Sequence, residues 1–201
     1  MAAMPPSGPP RQLRATDVKR LNREWRRRTE GRLALLLDSV SQPFNVGSIV
    51  RTAAAFGAEC VWLCGNTPDL TLPSVGKTAL GTDRFLESYR EPSPAAAAKA
   101  AAGAGFRVVA VELASGAVPL AEAPLEGDIC LAISNEDHGC SPALLAAVGS
   151  VAYIPQTGRV GSLNVAVAAA IAMAETRRRE WHPGQGLKGQ EGETATRLLG
   201  G

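Results

Sequence analysis

The chain has 201 residues, 45% of them hydrophobic, which is enough for one domain with its own core. The net charge of +2 excludes a uniformly basic or acidic protein, and no apolar run approaches the roughly 18 residues of a membrane span. The opening segment MAAMPPSGPP lacks the charged and then apolar layout of a signal peptide, so we expect a cytoplasmic protein.

The first 31 residues predict a disordered start followed by a basic helix. Residues 1–10 are rich in Pro and Gly. Thr16 can cap a helix whose apolar residues recur at i, i+3 and i+7. Residues 11–32 contain nine Lys or Arg against three acidic residues. Such a one-sided basic segment fits contact with a polyanion, but it also fits a solvated helix face.

Strand and helix patterns alternate over residues 32–180, which we expect to form one domain. The predicted strands are 32–38, 60–65, 106–113, 128–134 and 151–155, and the predicted helices are 46–57, 94–104, 142–149 and 163–180. The alternation predicts an α/β fold with a mostly parallel sheet and helices on both faces. Residues 66–83 show little pattern and predict a long loop, and residues 181–201 predict a flexible tail.

The cysteine and histidine content argues against a metal site. The four cysteines are Cys60, Cys64, Cys130 and Cys140. Their spacing matches neither a zinc site nor a disulfide scaffold, so we expect reduced and mostly buried thiols. His138 and His182 are the only histidines, too few for a histidine-based metal centre.

Three polar loops follow predicted strands, at residues 39–48, 134–141 and 156–162. Because ligands of open parallel sheets bind outside the carboxyl ends of the strands, we expect these loops to share one edge. Glycines in the last two loops let the main chain approach a flat ligand. Ile154 and Leu163 can enclose a ring. The pattern predicts a binding site built largely from backbone groups.

Several residues near these loops allow two interpretations. Ser162 fits a helix cap as well as a site residue, with Asn164 in the first turn. Arg51 either lays its stem along apolar surface or points at an anion. The GKT triplet at 76–78 suggests a phosphate loop, but Thr71 stands where that motif needs its first glycine. The interpretation of the chain as a nucleotide hydrolase would therefore depend on this triplet alone.

Three blocks carry the most specific signal. They are LLLDSVSQPFNVGSIVRTAAAFGA (35–58), LAISNEDHGCSP (131–142) and YIPQTGRVGSLNVAVAAAIAMAE (153–175). In this order and spacing they resemble the three motifs of the SpoU/TrmH-type RNA 2′-O-ribose methyltransferases of the SPOUT superfamily. KTALGT (77–82) resembles a further loop of that family. One departure is Ser134, which stands where the family usually has Gly.

The resemblance implies an enzyme that transfers a methyl group from S-adenosylmethionine to a ribose 2′-hydroxyl of RNA. It also implies a C-terminal trefoil knot and a homodimer whose partner completes the site. The implied catalytic residues are Arg51, Asn45, Ser162 and Asn164. The implied donor-binding residues are Glu112, Leu113, Ser134, Asn135, Glu136, Gly139, Ile154, Pro155, Ser162 and Leu163. We interpret Arg51 as the anchor of an RNA phosphate, because a guanidinium is a poor base.

Candidate RNA contacts come from the basic segments. They are Lys19, Arg20, Arg26, Arg27, Arg28, Arg51 and Lys77, and RRREW (177–181) can add phosphate contacts and Trp stacking. Short basic helices flanking the domain resemble the plan of relatives that modify tRNA, so tRNA is favoured over rRNA. The alternative from another functional class is a non-catalytic RNA-binding protein that keeps the knotted fold.

Overall fold

The computed structural model describes residues 11–135 and 138–182. Within these ranges, seven strands form a single sheet and six α-helices surround it. The strands are β1 (Leu33–Asp38), β2 (Cys60–Cys64), β3 (Glu87–Arg90), β4 (Arg107–Val111), β5 (Val118–Pro119), β6 (Ile129–Ser134) and β7 (Ser150–Tyr153). The helices are α1 (Ala15–Arg27), α2 (Pro43–Ala55), α3 (Pro73–Ala79), α4 (Pro94–Gly103), α5 (Pro142–Ala147) and α6 (Val165–Trp181).

The sheet is parallel throughout, with strand order β3-β2-β1-β6-β4-β7-β5. β1 lies near its centre, and all six of its residues are buried. In its register with β6, Asp38 pairs with Ser134 at the carboxyl edge. The predicted α/β fold with a parallel sheet is confirmed.

Both faces of the sheet are covered, which explains why the central strands are apolar at almost every position. Leu33, Leu35 and Leu37 belong to a core with apolar residues of α2, α3 and α6. Ala34 and Leu36 belong to a second core, formed with α4 and α5. The prediction of helices on both faces is therefore confirmed.

The cysteines lie within this packing. All four are unpaired and buried. Burial raises the pKa of the Cys60 thiol to about 11 and the pKa of Cys64 and Cys140 to about 12. The prediction of reduced, buried thiols is confirmed, and these groups are protonated near neutral pH.

Some local predictions were wrong. Residues 66–83 are not a continuous loop, because α3 lies within them. α2 begins at Pro43, a favourable first residue of a helix, so Asn45 lies in its first turn rather than in a loop. Two strands, β3 and β5, were not predicted; β3 is exposed at all four positions and β5 has only two residues.

Two predicted helix caps were also wrong. α1 begins at Ala15, and Thr16 makes no capping hydrogen bond. α6 is capped by Asn164 and not by Ser162: the Asn164 side chain accepts hydrogen bonds from the backbone N–H groups of Ala166 and Val167. Asn164 therefore precedes the first turn instead of lying within it.

The end of α6 fixes the start of the domain. Arg177 is buried, and its guanidinium donates to the carbonyl oxygens of Phe56, Gly57 and Gly31 and to the carboxylate of Glu180. The Glu180 carboxylate also accepts from the backbone N–H groups of residues 30 and 31. The segment that joins α1 to β1 is thus held by two side chains of α6.

Candidate functional site

A cavity of about 400 Å³ opens at the carboxyl edge of the sheet. It lies at the ends of β4, β6 and β7 and beside the start of α6. Its lining residues are Val111, Glu112, Leu113, Ile133, Ser134, Asn135, His138, Gly139, Tyr153, Ile154, Gln156, Gly161, Ser162, Leu163, Val165 and Ala168. Segments far apart in sequence therefore meet where the polar loops were expected.

Most predicted donor-binding residues lie on this cavity. They are Glu112, Leu113, Ser134, Asn135, Gly139, Ile154, Ser162 and Leu163. Pro155 is exposed and is not among the lining residues, and neither are Arg51, Asn45 and Asn164. Glu136 lies outside the described residues.

The sequence interpretation missed part of the wall. Val111, Ile133 and Tyr153 are residues at the carboxyl ends of three strands, and Gln156 follows the third. Once parallel strands had been predicted, their last residues were the available signal, because those residues face the edge where ligands bind. Val165 and Ala168 add the first turn of α6 to the wall.

The loop after β6 is held in a tight turn. The Asn135 side-chain amide donates to the carbonyl oxygen of Ser39 at 2.9 Å, and its Oδ1 accepts from the backbone N–H of His138 at 3.1 Å. The Asn135 carbonyl oxygen accepts from the backbone N–H of Gly139 at 2.9 Å. These bonds join the cavity wall to the loop that follows β1.

Polar side chains buried beneath the cavity connect the same strands. Ser134 donates through Oγ to Sγ of Cys140 at 3.0 Å. Asp38 is buried, and its carboxylate accepts from the hydroxyls of Ser39 and Ser141. Ser141 in turn caps α5. The Ser134 hydroxyl is thus accommodated by a hydrogen bond within the wall.

Gly139 and Glu112 make the closest approach in the wall. Gly139 has φ +64°, a left-handed conformation that favours glycine. A Cβ atom at this position would lie 2.6 Å from Oε2 of Glu112. That oxygen also accepts from the backbone N–H of Cys140 at 2.7 Å. The glycine is therefore required by its backbone angle and by the carboxylate.

Asn45 and Asn164 bring the first and third sequence blocks together. The side-chain amide of Asn164 donates to Oδ1 of Asn45 at 3.1 Å. Asn45 is buried, whereas Asn164 is exposed at the start of α6. The pair lies next to cavity residues, since Leu163 and Val165 flank Asn164 and both line the wall.

Arg51 is available for an external ligand. It is exposed on α2, and it forms no hydrogen bond or ion pair with residues in the described part of the chain. α3 packs closely on α2, since a Cβ on Gly47 would meet the carbonyl oxygen of Val75 at 2.6 Å. Lys77 lies in the last turn of α3, so it is on the helix that packs against the helix of Arg51.

The GKT triplet does not form a phosphate loop. Gly76, Lys77 and Thr78 all lie inside α3, whereas a phosphate loop joins a strand to the start of a helix. The structure therefore removes the observation on which a nucleotide hydrolase rested. Among the residues that the structure describes, no cluster of His, Cys, Asp and Glu is arranged to hold a metal ion, and no helix is long and apolar enough to cross a membrane.

The basic residues of α1 are displayed on the surface. The exposed basic residues on α1 or directly after it are Lys19, Arg20, Arg23, Arg26, Arg27 and Arg28. Trp25 packs against Trp181 with ring centroids 4.8 Å apart, and the Trp181 indole N–H donates to the Thr29 hydroxyl. These contacts hold α1 on the end of α6.

The side chains of RRREW (177–181), which the sequence predicts as additional RNA contacts, have partners within the chain. Arg177 is buried, and Arg178 and Arg179 are both paired with Glu175. Arg179 also reaches Glu126, and Trp181 packs on Trp25. The arginine guanidinium groups and the Trp181 ring have these partners because the segment lies within α6, beside the start of the domain.

Sequence comparison identifies the family. A sequence model of the SpoU rRNA methylase family matches residues 32–174. The chain belongs to the SpoU rRNA methylase family. The match includes every residue that lines the cavity and nearly all of the three sequence blocks.

Individual relatives of this SpoU chain act on different RNAs. The chain is 35% identical over 146 residues to the 23S rRNA (guanosine(2553)-2′-O)-methyltransferase RlmP of Bacillus subtilis. The match covers 73% of this chain and 58% of that protein. The chain is 28% identical over 159 residues to the tRNA (guanosine(18)-2′-O)-methyltransferase of Escherichia coli. The match covers 78% of this chain and 67% of that protein. The chain thus spans little more than half the length of the first curated relatives that it matches.

Solved structures agree with this assignment. The crystal structure of an AdoMet-bound rRNA methyltransferase from Sinorhizobium meliloti superimposes with a TM-score of 0.67 at 31% identity. The superposition covers 75% of this chain and 57% of that one. The parallel α/β fold of the SpoU chain is therefore shared with a structure that holds the methyl donor.

Proposed function

We propose that this chain methylates ribose 2′-hydroxyls of RNA with S-adenosylmethionine as the donor. The observation that carries the proposal is the cavity at the carboxyl edge, where the second and third sequence blocks meet. Relatives that are 2′-O-methyltransferases of rRNA and tRNA support the reaction class, and the AdoMet-bound neighbour supports the donor.

The cavity suits such a donor in size and chemistry. Its volume of about 400 Å³ lies within the range of roughly 300–1,000 Å³ found for ligand pockets. Ile154, Leu163 and Val165 offer apolar surface for an adenine ring, and Asn135 and Gln156 offer polar groups. Ser134 narrows the floor relative to glycine but turns its hydroxyl toward Cys140.

When bound, the donor supplies a methyl carbon made electrophilic by its sulfonium sulfur. In the transfer, the carbon–sulfur bond breaks with its electron pair going to sulfur, and a carbon–oxygen bond forms to the ribose. The 2′-hydroxyl proton must leave. The protein contributes mainly position, since holding two reactants in line removes much of the barrier.

In this proposal Arg51 grips the RNA phosphate beside the target ribose. It lies outside the cavity of its own chain, is exposed and has no partner among the described residues, which suits contact with RNA more than with the donor. A guanidinium forms two parallel hydrogen bonds with a phosphate. A guanidinium is a poor base, so Arg51 anchors the phosphate rather than taking the proton, and that phosphate accepts the proton.

Asn45, Ser162 and Asn164 serve as positioning groups. The Asn45–Asn164 hydrogen bond links the helix that carries Arg51 to the helix that begins at the cavity. Ser162 lines the cavity and is exposed, so its hydroxyl can meet substrate. Glu136, by its place in the second block, is proposed to hold the donor loop.

We further propose a homodimer and a C-terminal trefoil knot that includes the loops at 134–139 and 154–163. Apolar side chains left exposed on α2 and α6 support the dimer: Phe44 is 69% exposed, Val167 48% and Ile171 38%. Val167 and Ile171 are four residues apart and so share a face of α6. Family membership supports the knot, in which the C-terminal segment passes through a loop of the chain.

For the RNA, tRNA remains our preferred substrate. The exposed basic face of α1 offers phosphate contacts, and the Trp25–Trp181 packing fixes that helix on the domain. Such contacts act through the RNA backbone and set affinity and register. A cytoplasmic location follows from the proposed substrate.

The proposal is tested by methyl transfer to separated RNA pools. Purified tRNA and rRNA from cells that lack the chain are incubated with it and tritiated donor. We expect label in the tRNA pool, with no label when Arg51→Ala replaces the wild type. Label confined to rRNA would overturn the tRNA assignment, and donor binding without transfer to either pool would favour the non-catalytic RNA-binding alternative.

A further inference from the structure

Glu112 is the one carboxylate among the described residues that line the cavity. It follows β4 and is partly buried. Oε2 accepts from the backbone N–H of Cys140 at 2.7 Å, and Oε1 accepts from the backbone N–H of Leu113 at 2.9 Å. Both oxygens are thus fixed by backbone donors, which hold the carboxylate in the wall.

No cation neutralises this carboxylate within the described part of the chain. Glu112 forms no ion pair there, although eight other pairs are present in those residues. The other described lining residues have uncharged side chains apart from the imidazole of His138, which forms no ion pair with Glu112. Among the described lining residues, no ion pair therefore offsets the charge of Glu112.

We infer that Glu112 makes the cavity discriminate the methyl donor from the spent product by charge. The inference rests on the proposed function. S-adenosylmethionine carries a sulfonium, and transfer of the methyl group leaves a neutral thioether in S-adenosylhomocysteine. A fixed carboxylate in the wall attracts the first and has no sulfonium charge to attract in the second. Glu112 thereby favours donor binding and eases product release.

The expected size of the effect follows from Coulomb's law. A carboxylate and a sulfonium that share a partly hydrated cavity attract each other enough to change affinity by about three- to tenfold. The carboxylate also holds the loop through Cys140, and breaking that hydrogen bond would weaken donor and product equally. The ratio of the two affinities therefore isolates the charge.

The experiment measures dissociation constants of S-adenosylmethionine and S-adenosylhomocysteine by isothermal titration calorimetry. For Glu112→Gln we expect the preference for donor over product to fall by about three- to tenfold relative to wild type. The preference should also weaken with added salt in the wild type and not in the variant. Glu59→Gln, at the amino end of β2, is the matched control and should leave the ratio unchanged.

The other outcomes overturn the inference. An equal loss of affinity for both ligands would show that Glu112 only holds the loop. An unchanged ratio with unchanged affinities would show that its charge does not act on the ligand. A wild-type chain that binds neither ligand would overturn the proposed function as well, which distinguishes the two failures.

Discussion

The side-chain amide of Asn164 donates a hydrogen bond to Oδ1 of Asn45, joining residues 119 positions apart at 3.1 Å. Asn45 lies in the first turn of α2, and Asn164 caps α6. The two helices pack against each other on one face of the sheet. This hydrogen bond therefore ties the helix of Arg51 to the edge of the cavity.

Replacing Asn164 separates its two roles. Asn164→Ala removes the cap on Ala166 and Val167 as well as the bond to Asn45, and we expect a loss of about 1 kcal/mol in the free energy of unfolding. Asn164→Asp keeps the capping acceptor but loses the amide donor. Urea unfolding should show near-wild-type stability for Asn164→Asp, while methyl transfer falls in both variants. Full activity in Asn164→Asp would show that the Asn45 bond has no role in the reaction.

Gly139 can be compared with another glycine of the same conformation. Gly139 and Gly116 have φ +64° and +78°, so alanine costs about 1 kcal/mol of backbone strain at either. Only at Gly139 would the new Cβ meet Glu112, since nothing lies within 4 Å of it at Gly116. We expect Gly139→Ala to weaken donor binding at least about tenfold and Gly116→Ala to leave it intact, as measured by calorimetry. Equal affinities in the two variants would rule out the close approach.

Arg51 is expected to matter for turnover and not for donor affinity. Arg51→Lys keeps the positive charge but loses the paired hydrogen bonds to phosphate. We expect it to lose most of the methyl transfer to RNA while the dissociation constant of the donor stays within about twofold. Arg107→Lys, at the start of β4 and hence at the opposite edge, serves as the control. Near-wild-type turnover of Arg51→Lys would contradict the assigned role.

Among the arginines at the end of α6, we expect the buried Arg177 to contribute most to the free energy of unfolding. Arg177→Met leaves the carbonyl groups of Phe56, Gly57 and Gly31 without their donor, and we expect a loss of about 3 kcal/mol. Arg178→Ala should cost less than about 1 kcal/mol, because the pair is partly exposed and Glu175 keeps Arg179. Urea denaturation measures both. If Arg177→Met and Arg178→Ala lost similar free energies of unfolding, burial of Arg177 would not explain its contribution to stability.

RNA binding should depend steeply on salt through α1. When Gln replaces Lys19, Arg20, Arg26 and Arg27, the slope of log affinity against log salt should fall by about 0.7–0.9 for each phosphate that α1 no longer neutralises. Filter binding at several salt concentrations measures the slope. Lys99→Gln, on α4, is the control. An unchanged slope in the α1 variant would show that α1 does not touch RNA.

The buried strands and the gathering of loops could be predicted, because central parallel strands are apolar at almost every position and their carboxyl ends share one edge. β1 and the apolar stripe of α2 illustrate this. β3 could not be predicted, since an exposed edge strand has no burial pattern. The role of Arg177 could not be predicted either, because its carbonyl partners lie about 120–146 residues away.

Helix caps show a subtler limit. Ser162 and Asn164 are both good capping residues by type, and only the backbone angles at the start of α6 select Asn164. The same holds for Thr16, which lies one residue inside α1. Cavity residues such as Val111 and Ile133 look like ordinary core in sequence and reach the site only through their place at strand ends.

The most direct test of the central claim is the chemical position of the transferred methyl group. RNA labelled by the chain with tritiated donor is digested with alkali, which cleaves next to a free 2′-hydroxyl and spares a linkage whose 2′-oxygen is methylated. We predict that the label is recovered in alkali-resistant dinucleotides. Label recovered in single nucleotides, on a base, would contradict the account.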